Sequence, residues 1–180
     1  MTDTPLPGDP TPRQRLARMI RVDHAGEYGA ARIYAGQLAV LGRGPKGDLL
    51  RHMKAQEQVH LDTFAGLIAD RRVRPTALLP LWNVAGFALG VATAALGTRA
   101  AMACTVAVEE TIDEHYAAQT AELGADESPL RETIETFRLE ELEHRDIGLD
   151  NEAEKTIGYR LLTRAIKVGC KAAIRISEVL

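Results

Sequence analysis

Aromatic residues are scarce, at 4 % of 180 positions, and strand signals are missing throughout. Beside abundant Ala and Leu, that scarcity excludes a sandwich or barrel and points to helix. Only two cysteines occur, Cys104 and Cys170, far apart in sequence and in apolar surroundings. They offer no disulfide framework and read as small core residues of a reducing compartment. Neither sign of charge prevails strongly: the formal net charge is -3, which gives no electrostatic case for binding nucleic acid. A dinucleotide fingerprint is also missing, because Gly86, Gly90 and Gly97 lie in an apolar helical stretch and follow no strand. The first twelve residues are Pro-rich and carry Asp3 and Asp9, with neither the apolar run of a secretory signal nor the Arg-rich helix of a transit peptide. They are expected to form a flexible tail over 1–12, ahead of a single domain over 13–180.

What is present is helical punctuation. Thr11-Pro12 starts a helix, a hydroxyl cap followed by proline, and the pattern runs to Leu41 before the Gly-Pro-Gly-rich stretch 42–47. A second helix is expected over about 48–72, ending before Pro75. Residues 76–98 carry no charged side chain. Further helices are expected over about 98–123, closed by Gly124, from Ser128-Pro129 to near Asn151, and over about 155–179.

Two motifs carry chemistry, Glu57-x-x-His60 and Glu141-x-x-His144. Residues three apart on a helix differ by about 60° around its axis, so each pair faces one way and can grip one metal. Alone this spacing is a weak signal, but its setting is not. Glu57 shares its face with Met53, Leu61 and Phe64, and Glu141 shares its face with Ile134, Phe137 and Gly148. Both carboxylates therefore point into a core, where a carboxylate needs a cation or a proton. Glu27, between Ile20 and Tyr34, and Glu109, among Met102, Val106, Ile112 and Tyr116, are in the same position. The pattern also repeats. Each half of the chain holds one Glu with a Tyr seven residues on (Tyr34, Tyr116), then a Glu-x-x-His with an Asp two residues beyond the His (Asp62, Asp146). Four Glu and two His from four helices are the inventory of a two-metal carboxylate site in a bundle core. Oxygen-rich ligation with one imidazole per metal suits iron or manganese better than zinc.

Blander roles fit other residues. Asp62 and Asp146 lie far round the helix from their His and read as capping or solvent-facing. His52 reads as a surface residue, and Glu110, Glu114, Glu140 and Glu143 as a solvated acidic face. Asp23 and His24 either back the ligands or serve ordinary helix-surface roles. Tyr116 faces the core, and His115 lines the site or its rim.

Two segments suggest a membrane surface. The charge-free run is long enough to span a bilayer at about 1.5 Å per residue. A bundle of two hairpins also needs a crossover in this place, and we read the run as that crossover, resting on the membrane. In the last helix Arg160, Arg164, Lys167, Lys171 and Arg175 recur along one face, with Leu161, Ala165, Val168, Ala172 and Ile176 along another. That is the pattern of a basic amphipathic surface helix, or of an ordinary outer helix of the bundle.

Long blocks extend the argument: RVDHAGEYGAARIYAGQLAVL over 21–41, VRPTALLPLWNVAGFALGVATAALG over 73–97, AMACTVAVEE over 101–110 and EELEHRDIGLD over 140–150. On these the chain resembles the demethoxyubiquinone hydroxylases, two-iron enzymes of ubiquinone biosynthesis, and looks like a bacterial member. The resemblance implies an all-α, ferritin-like four-helix bundle with a hydrophobic crossover helix and a C-terminal amphipathic helix. It implies O2-dependent hydroxylation of a demethoxy polyprenyl benzoquinol at two irons per chain. Glu27 and His60 would hold one iron, Glu109 and His144 the other, and Glu57 and Glu141 would bridge. His115 and Tyr116 match residues associated with the route of substrate or electrons. The same resemblance implies a peripheral place on the cytoplasmic face of the cell membrane, among other proteins of the pathway. A ferritin-like iron-binding or ferroxidase protein and a two-manganese redox enzyme are the competing readings of the bundle.

Overall fold

The computed structural model describes residues 8–180. The expected tail therefore falls largely on residues 1–7, outside the described residues. Among those described, six α-helices occur and no strand: α1 (Pro12–Leu41), α2 (Gly47–Asp70), α3 (Leu79–Ala95), α4 (Thr98–Glu122), α5 (Ser128–Asp150) and α6 (Tyr159–Val179). The expected boundaries agree to a few residues, and α1 opens with a full capping box in which Thr11 and Gln14 satisfy each other's backbone N–H groups. The last helix starts later than expected. A short 3-10 turn over Ala153–Lys155 precedes it, and Gly158 adopts the left-handed conformation that lets the chain turn into α6.

Helices α1 and α2 form one hairpin, α4 and α5 the other, and together they make the ferritin-like four-helix bundle. Helix α3 crosses between the hairpins along α1, while α6 packs on α4 and α1. The core divides into tiers. Ile20, Phe64, Tyr116, Ile134 and Phe137 form one cluster, and Tyr34, Leu50, Met53, Met102 and Val106 another. Glu27 on α1 lies between Ile20 and Tyr34, so the functional residues occupy the level between these clusters. A third cluster of Ile33, Cys104, Ala107, Val108 and Ile166 lies beneath the outer helices, with Leu89 of α3 and Cys170 of α6 against it. Both thiols are free, Cys104 in the core as expected and Cys170 only partly buried, and burial pushes Cys104 up to about 12 and Cys170 to about 11, which disfavours the reactive thiolate.

The charge-free run is only partly helix. Seventeen residues of α3 rise about 25 Å, short of the roughly 30 Å hydrocarbon core of a bilayer, and no helix among the described residues is long and apolar enough to cross a membrane. The glycines of the run explain where it lies. A Cβ at Gly90 would sit 2.0 Å from the Ile33 carbonyl oxygen, one at Gly86 2.8 Å from that of Gly29, and one at Gly36 2.3 Å from that of Phe87. The α1 and α3 backbones thus touch through side-chain-free positions.

Helix α6 departs from the expected two-faced pattern. Tyr159, Leu162, Thr163, Ile166, Cys170 and Ser177 face the bundle. The apolar stripe read from the sequence faces solvent instead, with Leu161 at 76 % and Val168 at 62 % exposure. Of the basic stripe, Lys167 pairs with Glu110, and Lys171 with Glu114 at 2.7 Å, so those two glutamates are not simply solvated. The end of α6 is clamped: Arg21 donates to the Glu178 carbonyl at 3.2 Å, Ala77 N–H to the Leu180 carbonyl at 3.0 Å, and Trp82 Nε1–H to Ser177 Oγ at 3.1 Å.

The helix contact gives a prediction. Gly90→Ala drives a methyl into the α1 backbone and should cost about 1–3 kcal/mol or more. Gly66→Ala, in an α2 position where nothing lies within 4 Å, should stabilise by about 0.5–1 kcal/mol. Urea unfolding of both variants measures the contrast, and equal midpoints would mean that α1 and α3 do not approach so closely.

Candidate metal centre

The four bundle helices each bring one carboxylate to the same level of the core: Glu27 from α1, Glu57 from α2, Glu109 from α4 and Glu141 from α5. None is more than 1 % exposed, and His60 and His144 are fully buried with them. Their ligand atoms form two quartets, each within 4.8 Å: Glu27, Glu57, His60 and Glu141 in one, and Glu57, Glu109, Glu141 and His144 in the other. Glu57 and Glu141 belong to both. All six residues singled out from the sequence come together, and no other His, Cys, Asp or Glu among the described residues joins a comparable group.

The chemistry of this donor set fits metal ions. Glu27 Oε2, both oxygens of Glu57, Glu109 Oε2, Glu141 Oε2 and His144 Nδ1 are buried and make no hydrogen bond within the protein. Leaving so many polar atoms unpaired in a core is costly, and one cation per quartet would satisfy them together. Both imidazoles turn Nδ1 inward: His60 Nδ1 lies 3.0 Å from Glu141 and 3.4 Å from Glu27, and His144 Nδ1 lies 3.1 Å from Glu57 and 3.3 Å from Glu141.

Tyrosines hold the outer carboxylates, and they do so crosswise. Tyr34, seven residues after Glu27, donates to Glu109 at 2.8 Å, while Tyr116, seven residues after Glu109, donates to Glu27. Phe137 stacks on His60, with ring centroids 4.0 Å apart, and fixes its plane.

Nearby, Asp23 is buried and accepts from Gln119 at 2.7 Å. His115 Nε2 lies 3.2 Å from the same Asp23 oxygen. The His115 side chain is one fifth exposed, so it sits at the rim. His24 is buried with Nδ1 unbonded, which removes it from the ordinary helix surface. Asp62, exposed, accepts from Gln58, and exposed Asp146 pairs with Arg145, as their helical positions implied; His52 is exposed too. Glu140 does more than the solvated acidic face expected of it: its side chain is still about a third exposed, but one carboxylate oxygen lies 2.6 Å from His60 Nε2. Gln56, not singled out from the sequence, stands in the same relation to His144 Nε2 at 3.0 Å. The available signal was positional, since each immediately precedes the Glu of a Glu-x-x-His motif.

The electrostatics follow from burial. It pushes the carboxyls of Glu27, Glu57 and Glu109 up, with the charge of Glu141 adding to the effect. Burial acts in the same direction on Glu141, but ion pairs with His144 and His60 outweigh it and hold that carboxyl at about 2. Burial opposes a charge on His60, yet Glu141 and Glu27 raise it to about 12; His144 is raised for the same kind of reason.

Known proteins similar to this chain fall in one family. A family model described as ubiquinone biosynthesis protein COQ7 matches residues 14–177. The 3-demethoxyubiquinol 3-hydroxylase of Rhodospirillum rubrum is 62 % identical over 174 residues, covering 96 % of this chain and 82 % of its own length. The human NADPH-dependent 3-demethoxyubiquinone 3-hydroxylase is 55 % identical over 171 residues, 92 % of this chain and 78 % of that protein. The 5-demethoxyubiquinone hydroxylase of Saccharomyces cerevisiae is 42 % identical, over 91 % of this chain and 77 % of that protein.

A pH dependence follows. Glu27, Glu57 and Glu109 are raised above about 4.5, and His60 and His144 above about 6.5, so the folded metal-free chain binds more protons than the unfolded one near neutrality. Stability from these groups is full below their unfolded values and is lost as pH rises. Chelated protein should therefore melt at a lower temperature at pH 8.5 than at pH 5.5. Added Fe(II) or Co(II) should flatten or reverse that slope, because metal displaces the protons. Thermal melts followed by circular dichroism test this; a midpoint that climbs with pH without metal contradicts it.

Proposed function

The chain belongs to the ubiquinone biosynthesis protein COQ7 family and is a hydroxylase of that pathway; we propose that it hydroxylates the ring of a demethoxy polyprenyl benzoquinol at a two-iron centre. The observation that carries this reading is the pair of quartets sharing Glu57 and Glu141, in a chain so close to a named 3-demethoxyubiquinol 3-hydroxylase. Glu27 and His60 would hold one iron and Glu109 and His144 the other, with Glu57 and Glu141, which belong to both quartets, available to each. Bound there, two irons supply the activation of O2.

The residues of the chain have their own tasks. Tyr34 and Tyr116 keep the outer carboxylates aimed inward by donating to Glu109 and Glu27. Phe64, Phe137 and Ile134 exclude water from the oxygen chemistry. Adding one atom of O2 to the ring and releasing the other as water takes two electrons and two protons. We assign proton entry at the rim to His115, whose Nε2 lies against Asp23, and proton handling inside the site to Tyr116, which donates to Glu27. The human relative's name specifies NADPH, and reduced nicotinamide nucleotide is the electron donor we assign here.

The outer helices support a reading of location. Leu81, Val84 and Leu96 around α3, and Leu161, Val168, Ile176 and Val179 of α6, are exposed. Arg160, Arg164 and Arg175 carry no ion pair among the described residues. An apolar surface beside free cations suits an anionic membrane, and we place the enzyme peripherally on the cytoplasmic face of the cell membrane, where its prenylated substrate lies and where other proteins of the pathway can meet it.

Three experiments test this reading. Glu57→Ala should lose most of the iron, up to two per wild-type chain, as read by metal analysis. Cells relying on Glu109→Ala should accumulate the demethoxy quinone although the protein remains folded. With labelled O2, wild type should place one labelled atom on the ring. An iron-storage protein predicts an unchanged quinone pool, so normal ubiquinone in the Glu109→Ala strain rejects the hydroxylase reading. Separately, high salt or alkaline carbonate should strip at least part of the protein from membranes; complete retention under both washes rejects peripheral attachment.

A further inference from the structure

The two histidines are alike toward the quartets and unlike behind them. His60 Nε2 lies 2.6 Å from Glu140 Oε2, and His144 Nε2 lies 3.0 Å from Gln56 Oε1. Each acceptor comes from the opposing helix, at the position immediately before that helix's own Glu of the Glu-x-x-His motif. An acceptor at Nε2 fixes the proton on that nitrogen and leaves the Nδ1 lone pair directed into the quartet. That much is common to both. The chemistry of the acceptor is not: one is a carboxylate and the other a neutral amide. A charge-assisted bond is shorter and stronger, in line with the two distances, and a carboxylate behind an imidazole raises its basicity toward a metal.

From this we infer that Glu140 and Gln56 are positioning residues that make the two metal positions unequal, the Glu27–His60 position being tighter and filling first. The inference rests on the two-metal reading above. The rings also differ in their aromatic neighbours, Phe137 stacked on His60 and Tyr34 edge-on to His144, but only the acceptors behind Nε2 differ in charge. Both histidines are fully buried, both present Nδ1, and both quartets use the same two shared glutamates.

Stepwise titration of chelated, full-length protein with Co(II), followed by visible absorption and calorimetry, reads the difference without catalysis. Wild type should bind two Co(II) in two resolved steps. Glu27→Ala should remove the tighter step, and Glu109→Ala should spare it. Glu140→Gln should weaken the first step about 10–100-fold and merge it with the second. The exchange variant Glu140→Gln with Gln56→Glu keeps the net charge and should restore two steps in the opposite order, so that Glu109→Ala in that background now removes the tight one. A merely structural role for Glu140 predicts loss of binding or of fold with no such reversal. Two Co(II) bound with steps that Glu140→Gln leaves unchanged, or an exchange variant that keeps the wild-type order, overturns the inference while leaving the two-metal centre intact. A wild-type chain that binds no Co(II) overturns both.

Discussion

Four glutamates placed at one level of a helical core repel one another and have lost their water, and the rest of the molecule is arranged around that constraint. Hydrophobic clusters lie above and below the carboxylates, and two imidazoles and the hydroxyls of Tyr34 and Tyr116 reach them as polar partners. Cations held by the two quartets would resolve the conflict. The helices gain their packing from the apolar tiers, whereas the polar level between them contributes binding capacity at some cost to the metal-free fold. The raised carboxyls of Glu57 and Glu109 and the depressed one of Glu141 express a single circumstance, a set of acids sharing too little positive charge.

Much of this was legible in the sequence because two periodicities coincide. Glu27, Glu57, Glu109 and Glu141 are flanked by apolar residues at helical spacing, and the order of Glu, Tyr, Glu-x-x-His and Asp occurs twice. Helix boundaries were legible wherever Pro, Gly or a hydroxyl cap marked them. What escaped were relations between helices. Glu140 and Glu143 are both acids on α5, and the place of Glu140 just before the Glu-x-x-His motif acquires meaning only through the approach of α2, which brings His60 to it. Likewise the pairing of Lys167 with Glu110 and Lys171 with Glu114 depends on how α6 lies against α4.

Helix α6 shows why amphipathic patterns are ambiguous. A stripe of Leu161, Ala165, Val168, Ala172 and Ile176 has the spacing of a buried face, yet a neighbouring stripe of Tyr159, Thr163, Ile166, Cys170 and Ser177 occupies the bundle contact. Hydrophobicity alone ranks the first above the second. The choice is made by shape and by the clamp that Arg21, Ala77 and Trp82 put on the helix end, fixing its rotation. Similarly, the glycines of α3 read as features of an oily helix, while their packing against Ile33 and Gly29 sets how closely α3 can lie to α1.

The crossed tyrosines bear on what a single chain permits that a two-fold dimer would not. Each hairpin holds the other's outer glutamate, so a lone hairpin forms half a site, and two copies of one hairpin related by a two-fold axis would form a whole one. In such a homodimer every substitution appears twice, and both metal positions stay identical. Joining the copies through α3 lifts that restriction: Glu140 and Gln56 occupy equivalent places but are separate codons, each free to change alone. The crossover helix therefore does more than return the chain to its starting end. It turns a symmetric site into one whose two halves can be specialised independently.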